Sequence, residues 1–459
     1  MILSRLIFFI LLSTLQLKAF SQHKKDQIRD LIQDAHDVGV FNGNVLVMQF
    51  GKQIYLGSFG PAKANSKEML SREHRFNIGS IAKEFNAVAI MILKEHNQLS
   101  LDDAVSKYIQ ELPAWADSIR IRHLLQYTSG IPNSNWKDIK GDQDNLNSLK
   151  QVTKLDFKPG SKYAYNNNNV FLQRQIVESV SGMSFNDFVR KTILEPLSIK
   201  NAIIDPVAND QKIAIAYNSQ GIADDMTPPI SGWTNVNIDD FYRWSEALNT
   251  FKLISPASTK ELLDPFAPGN QTGLGSGMMK DNKFVSHIHD GTARNYQALL
   301  ISEQDQGLTI ILQTNNQQNN LYAISRSIQN IIQGKPYAKI KRSFLKVFNT
   351  AMQQQSSKQI LALYEETKAK DGTSFSFDTE DLLNEVGYDL LSQKKYNDAV
   401  EIFAYNTKLF PSSANVFDSL GEAYFRSGDT PKALLNYQKA IKLNPNLGSA
   451  IKMVAELSN

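Results

Sequence analysis

The tail of the chain repeats itself with a period of 34 residues. Gly387 maps onto Gly421, Ala399 onto Ala433, Phe403 onto Tyr437 and Pro411 onto Pro445. The second copy adds Phe417, Leu420, Tyr424 and Ala440 at matching offsets. Small residues at fixed places let paired helices approach, and aromatic residues fill the gaps between them. This pattern commits residues 380–459 to an all-α stack of helix pairs. About three units are usually needed for such an array to stand alone. A helical stretch from Ser343 to Lys368 is the candidate for a third, degenerate unit. The array either binds a protein or peptide partner in its groove or serves as a stabilising or dimerising appendage.

Chemistry enters at Ser80-Ile81-Ala82-Lys83, which opens an apolar helical stretch ending near Leu93. A lysine three positions beyond a serine on a helix shares its face and is within side-chain reach. The first helical turn also leaves backbone N–H groups free to hold a developing oxyanion. Nucleophile, base and part of an oxyanion hole therefore fit into one turn. On its own the pair is weak, since a serine and lysine at this spacing are more often part of a solvated helix face.

Two further clusters follow. In Pro159 to Asn167 a Pro-Gly turn leads through alternating residues to an Asn-rich loop, with a helix expected from Val170 to about Val180. Tyr165 and Asn167 are two apart and share a side if that segment is extended. A tyrosinate is a strong base, and a neighbouring ammonium such as Lys83 stabilises it. An Asn amide can hold both a lysine and a substrate carbonyl. The third cluster, His287-Ile288-His289-Asp290-Gly291-Thr292, lies between strand-like runs. A glycine in a strand admits close approach of a ligand or another backbone. Two histidines at alternate positions can also ligate zinc, but Gly291, Thr292 and Ala293 offer no further ligand, and a catalytic zinc takes three. No metal and no cofactor is expected.

Together these clusters resemble the serine β-lactamase and penicillin-recognising superfamily, in particular its class C β-lactamase-like hydrolases. The resemblance runs from about Asp26 to Gly334 and includes Leu99 to Tyr108 and Ile121 to Pro132. It implies an α+β fold, an antiparallel sheet flanked by helices with an all-helical lobe beside it. The tail resembles tetratricopeptide repeats. The resemblance casts Ser80 as nucleophile, Lys83 and Tyr165 as sharers of the base work, and Asn167 as a substrate-binding residue. His289 and Gly291 then stand in the third motif, with the N–H groups of Ser80 and Thr292 forming the oxyanion hole. In many β-lactamases a lysine opens that motif. His289 supplies a weaker fixed cation, and Asp290 adds a negative charge, so recognition of a penicillin carboxylate is disfavoured. Arg294 either restores a carboxylate contact or is a surface charge.

Arg5, the uncharged run Leu6 to Leu17, and Ala19 and Ser21 flanking Phe20 read as an export signal over residues 1–21. The run is short for a membrane span; an uncleaved anchor is the alternative. Its removal takes the formal charge from +3 to +1, which argues against nucleic acid or an anionic membrane as partner. The chain has no cysteine, so disulfides and thiol chemistry are excluded. The expected organisation is a hydrolase domain at 22–335, a helical linker at 336–379 and repeats at 380–459. The expected protein is periplasmic or secreted, without stable membrane insertion. It would hydrolyse a small ester, amide or D-amino-acid peptide. A D-Ala-D-Ala peptidase and a non-catalytic sensor on the same fold are the alternatives.

Overall fold

The computed structural model describes residues 22–458 apart from 207–209, 211, 219, 226–229 and 317–319; the expected export signal lies outside the described residues. The chain divides into two compact units, the second consisting of 38–40 and 340–459.

The first unit is built on one antiparallel sheet. Helix α1 (22–37) precedes β1 (Gly43–Gln49) and β2 (Lys52–Phe59), a hairpin turning through Phe50 and Gly51. A short β3 (Phe76–Asn77) leads through the turn Gly79–Ala82 into α2 (Lys83–Glu95). Every residue of α2 from Lys83 to Leu93 is buried. Apolar residues on every side make a helix that is buried all round, with Lys83, Glu84 and Asn86 buried among them, so α2 becomes the axis of the core. It ends where Asn97 takes a positive φ, a conformation that Asn tolerates.

Around α2 pack α3 (Ile121–Leu125), α4 (Asp142–Lys150), α5 (Asn167–Ser181) and α6 (Phe185–Val189), followed by β4 (Ala202–Ile204), β5 (Thr234–Val236), α7 (Ile238–Asn249) and α8 (Pro256–Leu263). The chain then returns as β6 (Ser276–Lys280), β7 (Lys283–Ala293), β8 (Tyr296–Glu303) and β9 (Leu308–Thr314), and closes with α9 (Leu321–Ile332). The main sheet has the order β2-β1-β9-β8-β7-β6. The early hairpin thus pairs with the last strand, as expected. Lys24 of α1 donates to the Ile332 carbonyl at 2.6 Å, which ties α1 to the end of α9. A small second sheet, β3-β5-β4, had no alternating signal in the sequence because its strands are two or three residues long.

The second unit holds α10 (Phe344–Met352), α11 (Ser357–Asp371), α12 (Asp381–Ser392), α13 (Tyr396–Leu409), α14 (Ala414–Ser427), α15 (Thr430–Leu443) and α16 (Gly448–Leu457). The helical stretch expected from Ser343 to Lys368, read as one or two helices, is two. Ser356 breaks it by capping α11, its N–H donating to Gln359 Oε1 at 3.0 Å. Phe344, Ile360 and Tyr364 share one core with Leu383, Val386 and Phe403. The small positions of the repeat are contact points: a Cβ on Gly387 would lie 2.4 Å from the Phe403 ring, and one on Gly421 would lie 2.9 Å from the Tyr437 ring.

Candidate active site

Ser80 sits in the tight turn Gly79–Ala82, and Lys83 is the first residue of α2. Lys83 Nζ donates to Ser80 Oγ at 3.1 Å. Tyr165 donates its hydroxyl hydrogen to the same Oγ at 2.9 Å. Lys83 is buried, whereas Tyr165 is 37% exposed, so the hydroxyl cluster opens to solvent on the tyrosine side. Lys83 Nζ also lies 5.3 Å from the centre of the Tyr165 ring and 5.7 Å from that of Trp233. These two aromatic faces wall the ammonium in.

Tyr165 is placed by a zipped pair of loops. Ala164 N–H donates to the Tyr127 carbonyl at 2.9 Å and Gly160 N–H to the Thr128 carbonyl at 2.8 Å. The rings of Tyr127 and Tyr165 lie 4.8 Å apart, and burial pushes the Tyr127 phenol well up. His123 orders the start of α3: its Nδ1 accepts the Arg120 N–H at 3.1 Å.

Asn167 is not in an extended segment with Tyr165. It is the first residue of α5, because the Asn166 side chain caps that helix by accepting the Asn168 N–H at 2.8 Å. The Asn-rich run is therefore a helix start; polar residues there satisfy free backbone N–H groups. Asn167 and Lys83 line one cavity of about 30 Å³ with Asn86, Ser231 and Trp233, room for a water molecule. No hydrogen bond joins Asn167 to Lys83 among the described residues. Asn86 Oδ1 is buried there without a partner.

The third cluster lies on β7. Beyond Ile288 this strand has no β6 partner, so its outer edge is free to meet the Ser80 turn. Gly291 makes that meeting possible: a Cβ on it would lie 2.0 Å from the Ile78 carbonyl oxygen and 2.7 Å from Ser80 N. Gly79 answers from the other side, its φ being +54° and a Cβ there falling 2.4 Å from Thr292 N. The backbones of Ser80 and Thr292 are thus brought to one place, the requirement for paired N–H donors.

Successive strand residues point to opposite faces, and this corrects the expectation for Asp290. Its carboxylate turns away from the His289 side and accepts the Tyr322 hydroxyl of α9 at 2.8 Å. It therefore adds no negative charge to the substrate side. Arg294 is engaged with Asp225, at 3.7 Å from Oδ2. His289 and His287 face inward and are buried, and both rings meet Glu84 of α2.

Glu84 belongs to none of the three sequence clusters; its one local signal is that it is a lone acid inside an apolar helical run. It also supplies the third metal-type donor that the local sequence around His289 lacks, and the donor atoms of Glu84, His287 and His289 lie within 4.8 Å of one another. Their spacing is that of hydrogen bonds. A tetrahedral zinc with bonds of about 2.0–2.2 Å holds ligand atoms roughly 3.3 Å apart, whereas Glu84 Oε1 is 2.6 Å from His289 Nδ1 and 2.8 Å from His287 Nε2.

Comparison with known proteins agrees with this architecture. The family described as Beta-lactamase matches residues 28–334, and the Tetratricopeptide repeat family matches residues 414–447. A penicillin-binding protein of Bacillus subtilis (strain 168) is 27% identical over 69% of this chain and 78% of its own length. Protein flp of Staphylococcus aureus (strain N315) is 26% identical over 65% of this chain; the chain spans 64% of that protein's length. A class C beta-lactamase of known structure superposes with a TM-score of 0.58 at 20% identity, over 69% of this chain and 98% of that one. With two thirds of its length matched by a single family and the remainder ending in helical repeats, the chain belongs to the Beta-lactamase family, of serine acyl-transferase and hydrolase type, and carries a tetratricopeptide-repeat region at its C-terminal end.

Proposed function

We propose that the protein is an exported serine hydrolase that cleaves an ester or amide bond through an acyl-enzyme on Ser80. One observation carries this reading: Ser80 Oγ is touched at once by Lys83 Nζ at 3.1 Å and by the Tyr165 hydroxyl at 2.9 Å. A serine hydroxyl needs a partner to take its proton before it can attack, and among the described residues these two groups are within reach. With one member of the Lys83–Tyr165 pair deprotonated, the Oγ proton passes to it as Oγ bonds to the carbonyl carbon. The carbonyl oxygen takes up the negative charge between the N–H groups of Ser80 and Thr292. Collapse breaks the bond to the leaving group, which takes the proton back from the same pair. Water then attacks the acyl-enzyme and gives its proton to that pair; the acyl–Oγ bond breaks, the pair returns the proton to Oγ, and the acid is released. Gly291 and Asn167 shape the substrate side, and His289 lies in the strand that borders it.

Esters and small peptides fit better than β-lactams, because a histidine at 289 is a weaker fixed cation than a lysine. Likeness to a penicillin-binding protein favours a second reading, a D-Ala-D-Ala peptidase acting by the same steps. The repeats are assigned to a protein or peptide partner, and the apolar N-terminal run supports export. Hydrolysis of a short-chain nitrophenyl ester by the chain without residues 1–21, with Ser80→Ala alongside, tests the reading. Turnover that vanishes in the variant supports it; equal rates contradict it.

A further inference from the structure

Glu84 joins three elements at the back of the site. It is fully buried at the head of α2, next to Lys83. Its Oε1 faces His289 Nδ1 at 2.6 Å and His287 Nε2 at 2.8 Å on β7, and its Oε2 accepts the Trp244 indole N–H of α7 at 2.7 Å. Burial works to raise its carboxyl. Attraction to His287 and hydrogen bonds from both imidazoles outweigh burial and hold it well below the usual carboxylate range.

An ionised carboxylate only accepts hydrogen bonds. Both facing ring nitrogens must therefore carry hydrogens. For His287 a second contact agrees, since its Nε2 also lies 3.1 Å from the Leu274 carbonyl oxygen, another acceptor. For His289 the hydrogen sits on Nδ1, the form that a free imidazole side chain favours less. The ring is pinned on its other side by Gly275, where a Cβ would fall 2.5 Å from His289 Cγ. Nδ1 is bound to Glu84, and Nε2 is the nitrogen that points away from it. His289 shares its strand face with Gly291, which rests on the Ser80 turn.

We propose that Glu84 is the positioning residue of this site: it holds His289 in the Nδ1–H form and leaves Nε2 as the nitrogen presented to substrate. The proposal rests on the Ser80 acyl-enzyme reading for its catalytic consequence, while the tautomer itself does not depend on that reading. A carboxylate on one ring nitrogen fixes which nitrogen works and in what direction. Glu84 thereby links the helix that begins at Lys83, just after the Ser80 turn, to the strand that carries Thr292.

Nitrogen-15 NMR of the histidine side chains in the full chain tests this on the unaltered protein. Peaks assigned with His287→Asn and His289→Gln should show His289 protonated on Nδ1 and His287 on Nε2. Nε2–H on neutral His289 would overturn the proposal, as would one tightly held zinc per chain. In kinetics with a nitrophenyl ester, Glu84→Gln should lower kcat about ten-fold or more with KM little changed. In a His289→Gln background the same substitution should have no further effect. Independent, additive losses would overturn the claim that Glu84 acts through His289. If Ser80→Ala proved harmless to turnover, the functional reading would fall and the NMR result would still decide the tautomer.

Discussion

Gly291 lies backbone to backbone against Ser80, so close that a methyl group on it would sit 2.7 Å from Ser80 N and 2.0 Å from the Ile78 carbonyl oxygen. Gly291→Ala must push β7 off the turn and separate the two N–H donors. Loss of one such donor is worth about 100-fold or more in kcat. We expect that loss in ester hydrolysis, together with a lowered thermal transition, since overpacking of this kind costs about 1–3 kcal/mol. Activity near that of the unaltered chain would remove Thr292 from the oxyanion hole.

Tyr165→Phe deletes only the hydroxyl that touches Ser80. Because Tyr165 is 37% exposed, the cost in stability should stay within about 0.5 kcal/mol. The cost in kcat should be about 100-fold or more, the usual scale for a positioned acid–base group. Steady-state kinetics with parallel melting curves checks both; an intact kcat would exclude tyrosine from the base.

Much of the site was legible because its residues recur in chain order with their own local signals. Ser80 and Lys83 head an apolar run, Tyr165 follows a turn, and Gly291 interrupts a strand. What stayed hidden was set by contacts distant in sequence. The partner of His289 is Glu84, 205 positions away, and Trp233 and Trp244 carry no local mark of their roles. The Asn-rich run was misleading for a different reason: helix-capping residues and loop residues are the same types. Asp290 was misplaced because the pleat, not the neighbour in sequence, decides which side of a sheet a charge faces.

Asp142 of α4 pairs with Arg174 of α5 at 2.7 Å, and its Oδ1 accepts the Ser231 N–H at 3.0 Å beside the Lys83 cavity. Burial raises the Asp142 carboxyl, but Arg174 and the Ser231 hydrogen bonds outweigh this and lower it below 3.8. A depressed carboxyl contributes stability above its unfolded value, and that contribution fades as pH falls through the folded one. Asp142→Asn should therefore cost about 1–3 kcal/mol at pH 7, discounted because Asp142 is partly solvated. The gap to the unaltered chain should close below pH 3.8. Denaturant unfolding across that range measures it; a gap independent of pH would contradict the ion-pair account.

In the repeats, Gly387→Val places a branched side chain where even a Cβ would meet the Phe403 ring at 2.4 Å. Overpacking of this kind costs about 1–3 kcal/mol. Denaturant unfolding followed by far-ultraviolet circular dichroism should show the loss in the helical unit. An unchanged midpoint would mean that α12 and α13 do not pack as closely as described.

The acyl-enzyme on Ser80 is tested most directly by intact-mass and peptide mass spectrometry after brief exposure to a slowly released acyl donor, such as a nitrophenyl ester or a penicillin. One acyl group per chain is expected, mapped to the peptide containing Ser80 and absent from Ser80→Ala. Turnover without any adduct at Ser80, or an adduct that persists in Ser80→Ala, would contradict it.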